Sequence, residues 1–125
     1  MIEEAYCSFE VARLLKEKGF NEVVHAYHNI YDKVNLDFNV SVDAPHLQIP
    51  CPTHQMAMRW LREVHNIGIF PSTYTHISDR KTIHSYGTAI INLKTYELMT
   101  DNYLANDTYE EAVEAALRYC LENLI

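Results

Sequence analysis

The stretch IPCPTHQMAMRWLREVH, residues 49 to 65, gathers the residue types that do chemistry more densely than any other part of the chain. Cys51 stands between Pro50 and Pro52, and His54 follows three residues later. C-x-x-H is half of a tetrahedral zinc site, built from thiolate sulfur and imidazole nitrogen. The other half has to come from elsewhere, and His25 and His28 are the pair to test. Two residues three apart on one strand point to opposite faces, so they reach one ion together only across a bulge. The same thiol is also a nucleophile candidate. It sits just before a helix start, where the helix dipole lowers a thiol pKa, and His46 or His84 would serve as its base. The plainer reading is that the two prolines stiffen the approach and Thr53 caps the helix. His54 then occupies an exposed first turn, and Cys51 packs as a small hydrophobe. We take that reading, so Cys51 and His54 stand as candidates and no catalytic set is assigned.

Other catalytic signatures are absent. Asp79, His84 and Ser85 are triad types, but no G-x-S-x-G elbow frames them. Gly19, Gly68 and Gly87 are the only glycines, which leaves no phosphate-binding glycine loop. Glu110, Glu111, Glu114 and Glu122 lack the convergence in a cleft that paired-carboxylate catalysis requires, and read as a solvated helix face plus a cap.

The elements that must position these residues follow from periodicity. A first helix spans 8 to 18, with Ser8 as cap, Phe9, Val11, Ala12, Leu14 and Leu15 as its apolar face, and Gly19 as its stop. A strand-like run over 23 to 30 and the strict alternation Val34, Leu36, Phe38, Val40, Val42 make a hairpin through Tyr31–Lys33. Residues 43 to 52, with Pro45, Pro50 and Pro52, read as connection. A second helix starts at the Thr53 cap and runs to about His65. Its inner face carries Met56, Ala57, Trp60, Leu61 and Val64, with Met58 off that face and partly exposed. Trp60 is therefore core rather than a stacking platform. Runs near 67 to 77 and 84 to 94 form a second hairpin across SDRKT, with Pro71 marking an edge or irregular strand. The last helix begins with a T-x-x-E capping box, Thr108 and Glu111. It carries an apolar stripe of Tyr109, Ala112, Val113, Ala116, Leu117, Cys120, Leu121 and Leu124. The expected fold is α+β in the order α-ββ-α-ββ-α, one four-stranded antiparallel sheet with three helices mostly on one face. The single domain, 1 to 125, divides into two helix–hairpin units, 8 to 42 and 53 to 94, plus the C-terminal helix 108 to 124. ARLLKEKG (12 to 19) aligns without gaps on MRWLREVH (58 to 65), which raises internal duplication.

PTHQMAMRWLREVHNIGI (52 to 69), YEEAVEAALRYCLENLI (109 to 125) and SFEVARLLKEKGF (8 to 20) together resemble a family of small uncharacterised proteins from phages and mobile elements of Bacteroidetes. Pro52, Thr53, Ala57, Trp60, Leu61, Arg62 and Glu63, then Tyr109 to Ala112, carry the match, which covers the helices and not the hairpins. The resemblance implies a phage or mobile-element origin and no catalytic residues, and Cys51 and His54 lie outside its pattern.

Bulk properties narrow the partners. The 125 residues suit one domain with a real core, and 48% of them are hydrophobic. The formal charge is −7, with no basic run to offset it, which disfavours direct nucleic-acid binding. No apolar run approaches the ~20 residues that span a bilayer. The acidic start MIEEAYCSFE has no secretory signal pattern, and three cysteines make no disulfide framework, so the expected location is cytoplasmic. Nine tyrosines stand out. Tyr74, Tyr86, Tyr96 and Tyr103 fall outside the helices and are candidate interface residues, because tyrosine buries area while keeping a polar tip wet. Residues 96 to 107 read as an ordered loop that docks on a partner. These observations point to a non-enzymatic module that binds another protein or itself, without a cofactor. The alternative is a small cysteine- or metal-dependent hydrolase using Cys51 with a histidine.

Overall fold

Local signals set the helix ends. The Ser8 side chain accepts from the Val11 N–H, at 3.2 Å, and opens α1 (Phe9–Glu17). At its far end Gly19 takes a φ of +97°, Phe20 N–H reaches Leu15 O and Gly19 N–H reaches Lys16 O. That paired closure is a Schellman motif, and only glycine adopts such a φ without strain. Thr53 Oγ1 accepts from Met56 N–H at 3.1 Å and opens α2 (His54–His65). Thr108 Oγ1 accepts from Glu111 N–H, also at 3.1 Å, while Glu111 reaches back to Asp107 N–H, and α3 (Tyr109–Asn123) follows.

The structure is a computed structural model that describes residues 2–29, 36–37 and 48–125. Its order is α1, β1 (Tyr27–Asn29), β2 (Leu36–Asp37), β3 (Gln48–Pro50), α2, β4 (Ile67–Ser78), β5 (Lys81–Asn92), β6 (Leu98–Asn106), α3. The class is α+β, with three helices and antiparallel pairing throughout among the described residues. The expected single four-stranded sheet is corrected. Two three-stranded sheets form instead, ordered β2-β1-β3 and β4-β5-β6. Each expected hairpin gains a third strand. Residues 48 to 50, expected as connection, become β3, because Pro50 ends the strand opposite Tyr27 and leaves Ile49 and Gln48 free to pair with His28 and Asn29. The 96 to 107 segment is not a loop: it supplies β6. Most of the 34 to 42 alternation and the Tyr31–Lys33 turn lie outside the described residues.

The chain falls into two compact units, Met1–Ala57 with Arg118–Ile125, and Met58–Leu117. In the first, α1 packs on β3, and the buried residues include Val11, Leu15, Phe20, Ala26, Ile49 and Leu121. Lys18 Nζ donates to the carbonyl of Ile125, tying the end of α1 to the end of the chain at 2.9 Å. In the second, Trp60, Leu61, Ile67, Ile69, Ile90, Val113 and Leu117 are buried. Trp60 is core, as its place on α2 requires. Met58 is buried too, where partial exposure was expected, while Val64 is 53% exposed and Tyr109 also faces solvent. The inward arc of α2 is therefore rotated towards Met58 and away from Val64.

The β4–β5 hairpin dominates the second unit. Twelve residues pair with twelve in unbroken register, from Ile67 opposite Asn92 to Ser78 opposite Lys81. The turn is two residues long, with Asp79 and Arg80 at φ +50° and +62°. Both central residues at positive φ make a type I′ turn, whose twist suits a tight hairpin. Burial changes along its length. Ile67 to Ile69 and Gly87 to Thr88 are buried, and Ser72 to His84 are exposed apart from the half-buried Tyr74. β6 joins β5 only from Tyr86 onward. The distal hairpin is thus a two-stranded ribbon with water on both faces.

Candidate functional site

The thiol and imidazole groups of the first unit meet around Cys7, a residue whose sequence context gives no warning of it. An antiparallel bridge pairs Tyr6 with Thr53. Cys7 N–H donates to Pro52 O at 3.0 Å and His54 N–H donates to Ala5 O at 2.8 Å. Residues 5 to 7 therefore lie along residues 52 to 54 as a short extra ladder. This explains why His54, in the first turn of a helix, is only 4% exposed, against the expectation of an exposed position. Cys7, at 2% exposure, directs its sulfur to within 4.8 Å of a ring nitrogen of His54 and lies 4.0 Å from Thr53 O.

Cys51 is engaged differently. Its N–H donates to Ala26 O, and its thiol donates to Cys7 O at 3.1 Å. His28 Nε2 lies 3.0 Å from that same carbonyl oxygen. A carbonyl only accepts, so His28 Nε2 is the donor in this pair. Its Nδ1 is buried and has no hydrogen-bond partner among the described residues. The His28 ring also stands edge-on to Phe9, with centroids 5.7 Å apart. Cys51 is thus a thiol whose proton is held by a backbone oxygen. The partner is an oxygen that only accepts, not a base that could take the proton from a nucleophile.

His25 is exposed and His28 buried, so the two do not converge on one site. Among the described residues, no three of Cys7, Cys51, His28 and His54 bring a ligand atom apiece to within 4.8 Å of one another. His46 lies outside the described residues. His84 stands on the exposed hairpin, its Nδ1 3.1 Å from Thr75 Oγ1 across the strands. Cys120 is fully buried on α3, and burial pushes its thiol from an ordinary 9.0 up to about 12. All three cysteines are free.

The four tyrosines fall in different settings. Tyr74 lies on the distal part of β4. Tyr86 is half-buried on β5 and packs edge-on against Tyr109, with centroids 6.4 Å apart. Tyr96 is 81% exposed in the β5–β6 turn, at a φ of +61°. The Tyr103 side chain lies outside the described residues. The ribbon itself is the feature that the tyrosine count pointed near but did not locate. Its exposed apolar residues are Ile77 (78%) and Ile83 (40%), not aromatic ones.

Among the described residues no helix is long and apolar enough to cross a membrane. Comparison of the chain with protein-family models, with curated proteins and with solved structures finds no match.

Proposed function

We propose that this chain is a non-enzymatic accessory protein of a phage or mobile element, a cytoplasmic module that binds another protein or a second copy of itself through the distal β4–β5 hairpin. One observation carries the reading: from Ser72 to His84 a paired hairpin stands exposed on both faces and presents Ile77 and Ile83 to water. A lone two-stranded ribbon is marginal in water and gains from a third strand or an apolar cover. Exposed β-branched aliphatics on such a ribbon suit a protein surface better than a phosphate backbone, and the charge of −7 agrees. The test is a tagged chain recovered from its host beside an Ile77→Lys, Ile83→Lys variant. The variant is expected to keep its far-UV spectrum and thermal midpoint and to lose the proteins that accompany the wild type. A wild type that binds no protein, itself included, removes the reading.

The geometry also favours a second reading, a small cysteine-dependent hydrolase, moved from Cys51 to Cys7. The Cys7 sulfur lies within 4.8 Å of a His54 ring nitrogen, a thiol–imidazole pair that would become an activated nucleophile on closing to hydrogen-bond distance. Its burial closes it to substrate, which is why the binding reading stands first. Alkylation of Cys7 by iodoacetamide faster than that of a free model thiol at neutral pH would reverse that order.

A further inference from the structure

Alternate residues of an antiparallel pair turn their N–H and C=O groups towards the partner strand and away from it. The residues flanking a two-residue turn form a hydrogen-bonded pair, here Ser78 and Lys81. Counting back along β4, His76, Tyr74 and Ser72 bond to β5, while Ile77, Thr75, Thr73 and Pro71 face the open side. Two observations fit this assignment. Pro71 has no N–H to offer, and it falls where none is needed, which is how an unbroken register runs through a proline. Thr75 and His84 touch through their side chains at 3.1 Å, as a non-hydrogen-bonded pair, with its closer side chains, allows. Among the described residues β4 pairs only with β5. Beyond Pro71 the outer edge therefore offers three N–H and three C=O groups, from Thr73, Thr75 and Ile77.

Edge strands of monomeric proteins are blunted by charge, proline or a bulge. Pro71 blunts the proximal half of β4, and nothing blunts the distal half. From Ile67 to Ser78 the strand contains no Asp, Glu, Lys or Arg, in a chain of net charge −7. Two copies of so acidic a chain repel, and they approach best where neither brings a charge. β5 has Lys81, and its free edge is short because β6 occupies it from Tyr86.

We infer that a second copy of this chain pairs antiparallel along the β4 edge, about a two-fold axis at Thr75. The inference rests on the distal hairpin being the contact surface. In that register Thr75 lies opposite Thr75 of the second copy, and Thr73 lies opposite Ile77 in both directions, so all six open backbone groups of each copy are paired. Tyr74 comes opposite His76 across the axis. A β5-β4-β4-β5 sheet results, with the exposed Ile77 side chains covered by the neighbouring strand. Main-chain bonds supply affinity in this mode of strand addition, and the uncharged strand allows identical chains to meet.

Sedimentation velocity from micromolar to millimolar concentration, on wild type, Thr75→Pro and Thr75→Val, tests it. Proline at 75 removes only an outward N–H, as Pro71 already does, so the hairpin keeps its fold. Valine loses the same bond to His84 but keeps the edge. Wild type and Thr75→Val are expected to move from 14.6 kDa towards twice that mass. Thr75→Pro is expected to associate about tenfold more weakly or not at all. A wild type that stays monomeric, or equal association by all three proteins, overturns the proposal. A photoreactive residue at position 77 separates its failure from that of the wider reading. A homodimer adduct supports self-pairing, an adduct with a different protein overturns it while keeping the hairpin as a binding surface, and no adduct sinks both.

Discussion

At the scale of single residues, chemistry here is decided by what each thiol and imidazole touches. Cys51 has the sequence setting of a reactive cysteine, yet its proton rests on Cys7 O. Cys7 has an unremarked setting, yet its sulfur has an imidazole beside it. That exchange was not legible, because residues 7 and 54 are brought together by a bridge 47 positions apart in sequence, and no local pattern encodes such a bridge. His54 misleads for the same reason: the strand-like segment 5 to 7 covers a helix turn that in isolation faces solvent. Cys120 offers the clearest titration. Burial holds its thiol near 12 in the fold against an ordinary 9.0, so the native state binds a proton that the unfolded chain releases. The stability this contributes is complete below pH 9 and is lost as pH climbs towards 12. Denaturant midpoints measured from pH 8 to 11 should therefore fall for wild type. They should fall less steeply for Cys120→Ala, whose stability near pH 8 is lower through lost packing. Equal slopes would show that the thiol is not the group responsible.

At the scale of elements, the helices were legible because their signals are local. Ser8, Thr53 and Thr108 each accept from an N–H three residues on, and those spacings are written in the sequence. Thr53→Ala should cost about 1 kcal/mol, the usual loss for a cap, read as a lower denaturant midpoint at unchanged slope. The strands beyond the two expected hairpins were not legible. β3 is three residues long among prolines and exists only through its pairing with β1. β6 joins β5 with register shifts between Tyr86 and Thr88 and between Ile90 and Ile91, and such shifts erase the two-residue period that identifies a strand. The distal hairpin carries a cost of its own. Asp79 and Arg80 hold positive φ without glycine, in a turn type that favours Asn followed by Gly. The double substitution Asp79→Asn, Arg80→Gly relieves roughly 1 kcal/mol of backbone strain. Hydrogen exchange should then slow at the amides bonded across the hairpin, His76, Ser78, Lys81 and Ile83, while the rates in α2 and α3 stay put. Slower exchange everywhere, or nowhere, would mean that the turn does not limit the ribbon.

At the scale of the whole molecule, the chain passes between its two units twice, and both passages fall inside helices. α2 runs through the boundary after Ala57, and α3 through the one before Arg118. The second unit is thus an insertion within the first, whose core is closed by the last eight residues, with Cys120 and Leu121 fully buried. A helix propagates cooperatively along its length, so melting either half of α3 weakens the other. Flexible linkers would let the units unfold separately, whereas two continuous helices join their transitions. Trp60, the only tryptophan, lies in the inserted unit, while far-UV ellipticity reports on both. Leu121→Ala removes a fully buried side chain from the first unit, at a cost of about 2–5 kcal/mol. If the helices transmit that loss, the Trp60 emission transition in urea shifts by as much as the ellipticity transition, although the substitution is in the other unit. A Trp60 transition that stays in place while ellipticity becomes biphasic would show two independently folding bodies, and the coupling assigned to α2 and α3 would fail.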